Sequence, residues 1–162
     1  MNKIEKEIKL IKILQFIENY KLTNTIINED LTVDVDGDVN LRNKELREIP
    51  IQFGKVDGYF DISINYLRSL KGCPKWVSEN FWCDLNGLTT LEDAPEYVGD
   101  YFDCSFNQLT SLKGCPKYIG GDFNCEGNSQ ITPESLKEIG EFKGKIHSDV
   151  FEGYLEDYKG EL

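Results

Sequence analysis

Chemistry needs polar groups that converge, and the chain offers few sets of them. Its only histidine, His147, stands beside Ser148 and Asp149. Three consecutive residues cannot fold back into a catalytic triad, because the base must sit between the nucleophile and the orienting acid. Asp34, Asp36, Asp38, Asn40 and Glu45 fall at the ligand spacing of a calcium-binding loop. Val39, however, takes the place where that loop turns on a glycine, and the alternating valines of this stretch suit a strand. No glycine-rich phosphate loop, paired metal-binding histidines or Cys-x-x-Cys occurs. The expectation is a protein that is not an enzyme and uses neither metal nor cofactor.

Two further properties bound the reading. The five cysteines follow a repeat: Cys83, Cys104 and Cys125 share one place in it, where Ile62 stands in, and Cys73 and Cys115 another, where Ala94 stands in. A place that accepts Ile or Ala is apolar packing, so reduced core thiols are expected. A formal charge of −11 and a pI near 4.6 argue against a nucleic-acid backbone or an anionic membrane as ligand. A protein partner with a basic surface is the better electrostatic match. Neither a secretory leader nor an apolar run of the roughly 18–20 residues a membrane span needs is evident, so a cytoplasmic protein is expected.

The elements that would position any site come from one pattern. Asn65, Asn86, Asn107 and Asn128 recur every 21 residues, with Lys44 at the equivalent place one unit earlier. Phe60, Phe81, Phe102 and Phe123 stand five before each asparagine, and Ile62, Cys83, Cys104 and Cys125 three before it. Leu67 and Leu70, Leu88 and Leu91, and Leu109 and Leu112 follow two and five after it. Such self-similarity means stacked coils, none of which can bury its apolar side alone. Tyr59 to Ser63 and its equivalents alternate like a short strand, and Gly72-Cys73-Pro74 or Gly114-Cys115-Pro116 bends the chain back. The asparagine amides are expected to satisfy backbone groups where each coil turns.

Before the array, Ile4, Ile8, Ile11, Leu14 and Ile17 mark an amphipathic helix over residues 1–20. Its stripe either covers the first coil or serves for docking or dimerisation. Residues 22–39 read as a hairpin, which together with the helix would cap an open sheet edge. After the array, Thr132 and Pro133 start a short capping helix that carries Leu136 and Ile139. Ile146, Val150, Phe151, Tyr154, Leu155 and Tyr158 make residues 143–162 too apolar for a free tail, so packing on the array is expected, or a partner-binding segment. The organisation is thus an N-terminal helix and hairpin (1–38), an array (39–128) and a C-terminal cap and tail (129–162), in one folded unit.

Phe60, Ile62, Asn65 and Leu67, with their equivalents in the next units, fit the L-x-L-x-x-N-x-L core of leucine-rich repeats. The period of 21 with its proline-bearing return resembles the short bacterial type. The phrases from Gly114 to Cys125 and from Asn107 to Leu112 are similar to repeat proteins encoded by tailed bacteriophages. The motif's leading leucine is replaced here by Asp57, Ser78, Gly99 or Gly120, with Val56, Val77, Val98 or Ile119 one place earlier. The resemblance implies an α+β, leucine-rich-repeat-like solenoid of about four to five coils with a parallel strand ladder, an N-terminal helix and hairpin cap and a C-terminal helical cap.

It also implies that the residues between the buried strand positions line a concave face. Carried over by position, these are Tyr59, Asp61, Trp82, Asp84, Tyr101, Asp103, Asp122 and Asn124, with Ser63, Ser105, Asn80 and Glu126 among them. Aromatics give contact area at low entropic cost and carboxylates orient a basic partner. The expected function is a protein-binding module, a phage product that binds and inhibits or redirects a host protein. The alternatives are a self-assembling scaffold and an acidic mimic of nucleic acid. Ile64, Leu85 and Phe106, each just before its asparagine, form a second stripe, expected to be covered by the flanking segments and otherwise an exposed apolar ridge.

Overall fold

In the computed structural model, which describes residues 1–154, the chain winds into a β-solenoid of about six stacked turns. The elements in order are α1 (Lys3–Tyr20), β1 (Thr25–Ile27), β2 (Thr32–Val35), β3 (Val39–Asn40), β4 (Gln52–Val56) and β5 (Phe60–Asp61). There follow β6 (Trp76–Val77), β7 (Phe81–Trp82), β8 (Tyr97–Val98), β9 (Phe102–Asp103), β10 (Tyr118–Ile119) and β11 (Phe123–Asn124). A 3-10 helix (Pro133–Glu138) then leads to β12 (Glu141–Phe142), β13 (Lys145–His147) and β14 (Glu152–Tyr154). Each regular coil contributes two short strands, so two seven-stranded ladders form where one was expected. The first runs β1-β2-β4-β6-β8-β10-β12 and the second β14-β13-β11-β9-β7-β5-β3.

Every neighbouring pair within the stack is parallel; only the terminal β1 and β14 run antiparallel to their neighbours. The strands therefore outrun the regular repeat at both ends, beginning at Thr32 and continuing to His147. Backbone pairing needs N–H and C=O groups in register rather than particular side chains, so the ladders persist where the sequence motif has faded.

The core lies between the ladders. Val56, Val77, Val98 and Ile119 point inward from the first and Phe60, Phe81, Phe102 and Phe123 from the second, all fully buried. The phenylalanine rings stack from coil to coil at 5.5–5.7 Å. Cys73, Cys83, Cys104 and Cys125 fill gaps among them as free thiols, with Cys115 half-buried, and burial pushes the Cys125 thiol up to about 12. Such thiols pack as small hydrophobes rather than react.

The asparagines close the turns. Asn65 donates from Nδ2 to the carbonyls of Leu41, Ile62 and Ser63, while its Oδ1 accepts from the backbone N–H of Lys44 and Leu46. Asn86, Asn107 and Asn128 repeat the pattern, each tying its own coil to the preceding one. A buried amide that meets several peptide groups at once leaves none of them unsatisfied.

The flanking segments depart from expectation in detail. α1 starts with a capping box between Asn2 and Glu5, but it docks through Leu10, Ile13, Phe16, Ile17 and Tyr20, with the Phe16 ring 6.2 Å from that of Phe53. The stripe of Ile4, Ile8, Ile11 and Leu14 faces solvent, because the wider aromatic face of the helix fills the end of the core better. The hairpin at residues 22–39 is present as β1 and β2. At the other end Thr132 and Pro133 start a single 3-10 helix, and the chain adds strands through Tyr154, with Ile146 buried. Leu155 and Tyr158, placed in the packed tail by the sequence, lie outside the described residues.

Candidate functional site

Strand alternation sends every residue next to an inward phenylalanine outward, and parallel pairing then aligns those residues in rows. On the second ladder one row reads Asn40, Asp61, Trp82, Asp103, Asn124, His147. Tyr59 and Tyr101 stand before it in the chain and Asp84 after it. The structure thereby gathers most of the sequence-predicted site. Tyr59 meets Trp82 edge to face at 5.5 Å, Tyr101 Oη donates to Asp103 Oδ2 at 3.1 Å, and Asn124 Nδ2 donates to the same oxygen at 3.4 Å.

The electrostatics of this face are strained. Asp84 is half-buried, and burial first, with the neighbouring Asp103 second, pushes its carboxyl up to about 6. Burial and the Asp103 charge likewise drive the Tyr101 hydroxyl well above its ordinary range. Asp61 is buried and accepts from the backbone N–H and hydroxyl of Ser63. Arg42, which donates to Ser63 Oγ, lowers the Asp84 carboxyl by its charge, less than burial and Asp103 raise it. Asp61 and Asp103 thus flank Trp82 in register, and their charges raise the Asp84 carboxyl while that of Arg42 lowers it.

Asp122 stands apart from this cluster. Its Oδ1 accepts from the Lys145 N–H, which holds its carboxyl below the usual range, and its Oδ2 faces His147 Nε2 at 3.4 Å. That carboxylate ties the last coil to its neighbour. Ser148 Oγ donates to the carbonyl of Phe151 rather than to His147, so the His-Ser-Asp run forms no triad. Asp34 and Asp38 accept from the backbone N–H of Lys55 and Tyr59 in the next coil. Among the described residues no group of three or more His, Cys, Asp or Glu side chains is placed to hold a metal ion.

The sequence reading missed a second row, on the outer face of the first ladder. Trp76 and Tyr97 stack at 5.4 Å and 8°, and Tyr97 and Tyr118 at 4.9 Å and 6°. Lys55 Nζ lies 4.3 Å from the Trp76 ring centre, and Lys143 Nζ 6.0 Å from that of Tyr118. Ion pairs Lys75–Asp93, Lys117–Glu96 and Lys143–Glu141 run beside it. The signal was present as an aromatic residue before Val77, Val98 and Ile119 at the 21-residue period.

A third feature lies beyond the asparagines, a groove of about 950 Å³ lined by Arg47, Tyr66, Arg68, Gly87, Thr89 and Gln108 among others. Two of the three arginines of this acidic chain, Arg47 and Arg68, line it. Among the described residues nothing supplies the expected cover over Ile64, Leu85 and Phe106. All three are exposed, and α1 packs through Phe16 on Phe53 rather than over them.

No family model, curated protein or solved structure matches the chain. Among the described residues no helix is long and apolar enough to cross a membrane.

Proposed function

We propose that the chain is a protein-binding module that receives a basic surface on the outer face of the second ladder. Tyr59, Trp82 and Tyr101 supply contact area, and Asp84 and Asp103 meet the partner's cations, with the buried Asp61 adding negative charge behind them. The observation that carries this reading is the Asp84 carboxylate. It sits half-buried against other acids with one guanidinium nearby, an arrangement that weakens the free chain and that an incoming lysine or arginine relieves. The ladder holds these groups on short rigid strands, so little ordering remains to oppose binding.

The setting follows the resemblance to phage-encoded, short bacterial-type leucine-rich repeats: the partner is a host protein that is inhibited or redirected. In this reading α1 with the hairpin and the segment after Asn128 cap the two ends; Phe16 packing against Phe53 supports the first. The test is capture from bacterial lysate by the immobilised chain, beside Trp82→Ala and Asp84→Asn, over a salt series. One stoichiometric partner, lost with Trp82→Ala and weakened by salt, is the expected result. Equal capture by wild type and both variants would move the binding surface elsewhere.

A further inference from the structure

The groove beyond the asparagines has no carboxylate among its lining residues, in a chain that holds 29 Asp and Glu. Its two cations, Arg47 and Arg68, are one 21-residue period apart, so they take the same place in neighbouring coils, a step of about 4.8 Å. Lysines elsewhere on the body find acids, as in Lys75–Asp93 and Lys117–Glu96. Among the described residues neither groove arginine pairs with one. Arg47 instead lies over the Tyr66 ring, 5.8 Å from its centre, and Tyr66 is 62% exposed. Two like charges held this close repel each other, so the pair is a local positive field that the fold leaves unneutralised.

Gly87 opens the middle of the groove, and the fold does not require a glycine there. Its N–H donates to the Leu67 carbonyl at 2.9 Å, just as the N–H groups of Tyr66 and Gln108, at the same place in the coils on either side, donate to Leu46 and Leu88 at 2.8 Å. The same backbone course therefore carries a tyrosine and a glutamine. The φ of Gly87 lies outside the left-handed region, and an added Cβ would meet nothing closer than the Leu67 carbonyl oxygen at 3.5 Å, an ordinary contact. A glycine that the backbone does not need costs chain entropy on folding, and what it supplies here is space. It leaves a slot between Tyr66 and Gln108, which stand two coil steps or about 10 Å apart along the stack, room for one flat ring between them.

We propose that this groove binds a small phosphate monoester with a planar polar ring, a molecule of mononucleotide size. Arg47 and Arg68 take the phosphate, and the slot over Gly87 takes the ring between Tyr66 and Gln108. Phosphate fits the pair better than carboxylate does: one guanidinium fork satisfies the two oxygens of a carboxylate, whereas a phosphate dianion has oxygens and charge for two. Thr89 adds a hydroxyl beside them, and the Gln108 amide can both donate to and accept from a ring edge. The volume of about 950 Å³ is that of a small-molecule site. The chain's −11 charge repels a long polyanion, but a single phosphate between two guanidinia meets mainly the local field, since salt screens charges beyond about 8 Å. This inference is independent of the reading of the Trp82 face above.

The test is titration of the nitrogen-15-labelled full chain at constant ionic strength, read from the backbone N–H signals of Gly87, Thr89 and Gln108 and the side-chain N–H signals of Arg47 and Arg68. Adenosine monophosphate should shift all of them saturably, with a Kd below about 1 mM. Inorganic phosphate should move the arginine signals alone and bind at least about tenfold more weakly, and acetate should move none. Arg68→Gln should weaken both phosphate probes about tenfold or more. Gly87→Gln, which places in the slot the residue the next coil already carries, should leave inorganic phosphate unchanged, reduce adenosine monophosphate to its level, and keep the melting temperature at or above wild type. No saturable shift up to about 10 mM adenosine monophosphate overturns the proposal. So does adenosine or acetate binding as well as the monophosphate, either variant binding it like wild type, or a short single-stranded DNA binding more tightly, which would assign the arginines to a nucleic-acid backbone.

Discussion

The two ladders are built from the same coils and hydrogen bonds, yet their outer faces are opposites. On the first, the stacked rings of Trp76, Tyr97 and Tyr118 cover one another, lysines close both ends of the row, and acids and lysines pair beside it. On the second, like charges gather beside an edge-on indole, and burial together with the neighbouring Asp103 charge holds the Asp84 carboxyl above its ordinary range. A face that satisfies itself has little to offer a partner, whereas a face with residual electrostatic demand gains by being covered. That difference, rather than the count of aromatics, directs attention to Trp82 over Trp76.

The sharpest way to break the comparison is to break the corner that joins the ladders. A Cβ on Gly99 would lie 1.8 Å from the Ser78 carbonyl oxygen of the preceding coil, a clash with backbone that cannot move aside. Gly99→Ala should therefore cost about 4 kcal/mol or more, read as a lowered urea midpoint, and should disrupt both faces together. A near-neutral result would mean that the coils stack more loosely than the structure shows.

Next in size is the contrast between the tryptophans. Trp76→Ala removes a stacked ring and a cation–π contact and should cost about 3 kcal/mol, while leaving partner capture intact once the protein is folded. Trp82→Ala has one edge-on ring neighbour and should cost less, about 1–2 kcal/mol, but should abolish capture. Reversal of these outcomes would exchange the roles assigned to the two faces.

A smaller effect has the opposite sign. Because the folded state raises the Asp84 pKa to about 6, from an ordinary value near 4, the native protein holds that proton more tightly than the unfolded chain does. The contribution of this group to stability is therefore fully present only below about pH 4, and is lost as pH rises from there through about 6. Asp84→Asn should match wild type at about pH 4 and exceed it by about 1 kcal/mol at pH 7, a value reduced for partial solvent exposure. Denaturant titrations at the two pH values check this, and equal stability at both would show that the carboxylates do not strain the face. Smallest of all, Lys117→Ala on the first ladder removes an exposed pair with Glu96 and should change the urea midpoint by nothing measurable.

Much of the fold was legible because repeat position fixes environment. The phenylalanines, the leucines and the cysteine column proved to be core, and the asparagines close the turns. The grouping of Tyr59, Trp82, Asp84, Tyr101 and Asp103 was legible for the same reason, since residues one period apart must be lateral neighbours in a stack. Other features were not. Strands of two residues such as Trp76–Val77 are too short for alternation to show, so the first ladder was missed. The docked side of α1 was misjudged because both sides carry apolar residues, and only the shape of the core end chose Phe16 and Ile13 over Ile8 and Ile11. Asp122 looked like its equivalents Tyr59 and Tyr101, but the last coil gave its carboxylate a backbone N–H and an imidazole to hold.

By itself the sequence determined the period, the inward columns and the asparagine turns, because each follows from residue type recurring at a fixed interval. Only the tertiary structure decided that a coil carries two ladders, that Ile64, Leu85 and Phe106 are exposed among the described residues, and that Asp84 is half-buried beside Asp103 while Lys117 is paired. Exposure and charge balance belong to neighbourhoods rather than residues, and in a solenoid each neighbourhood is completed by the coils above and below.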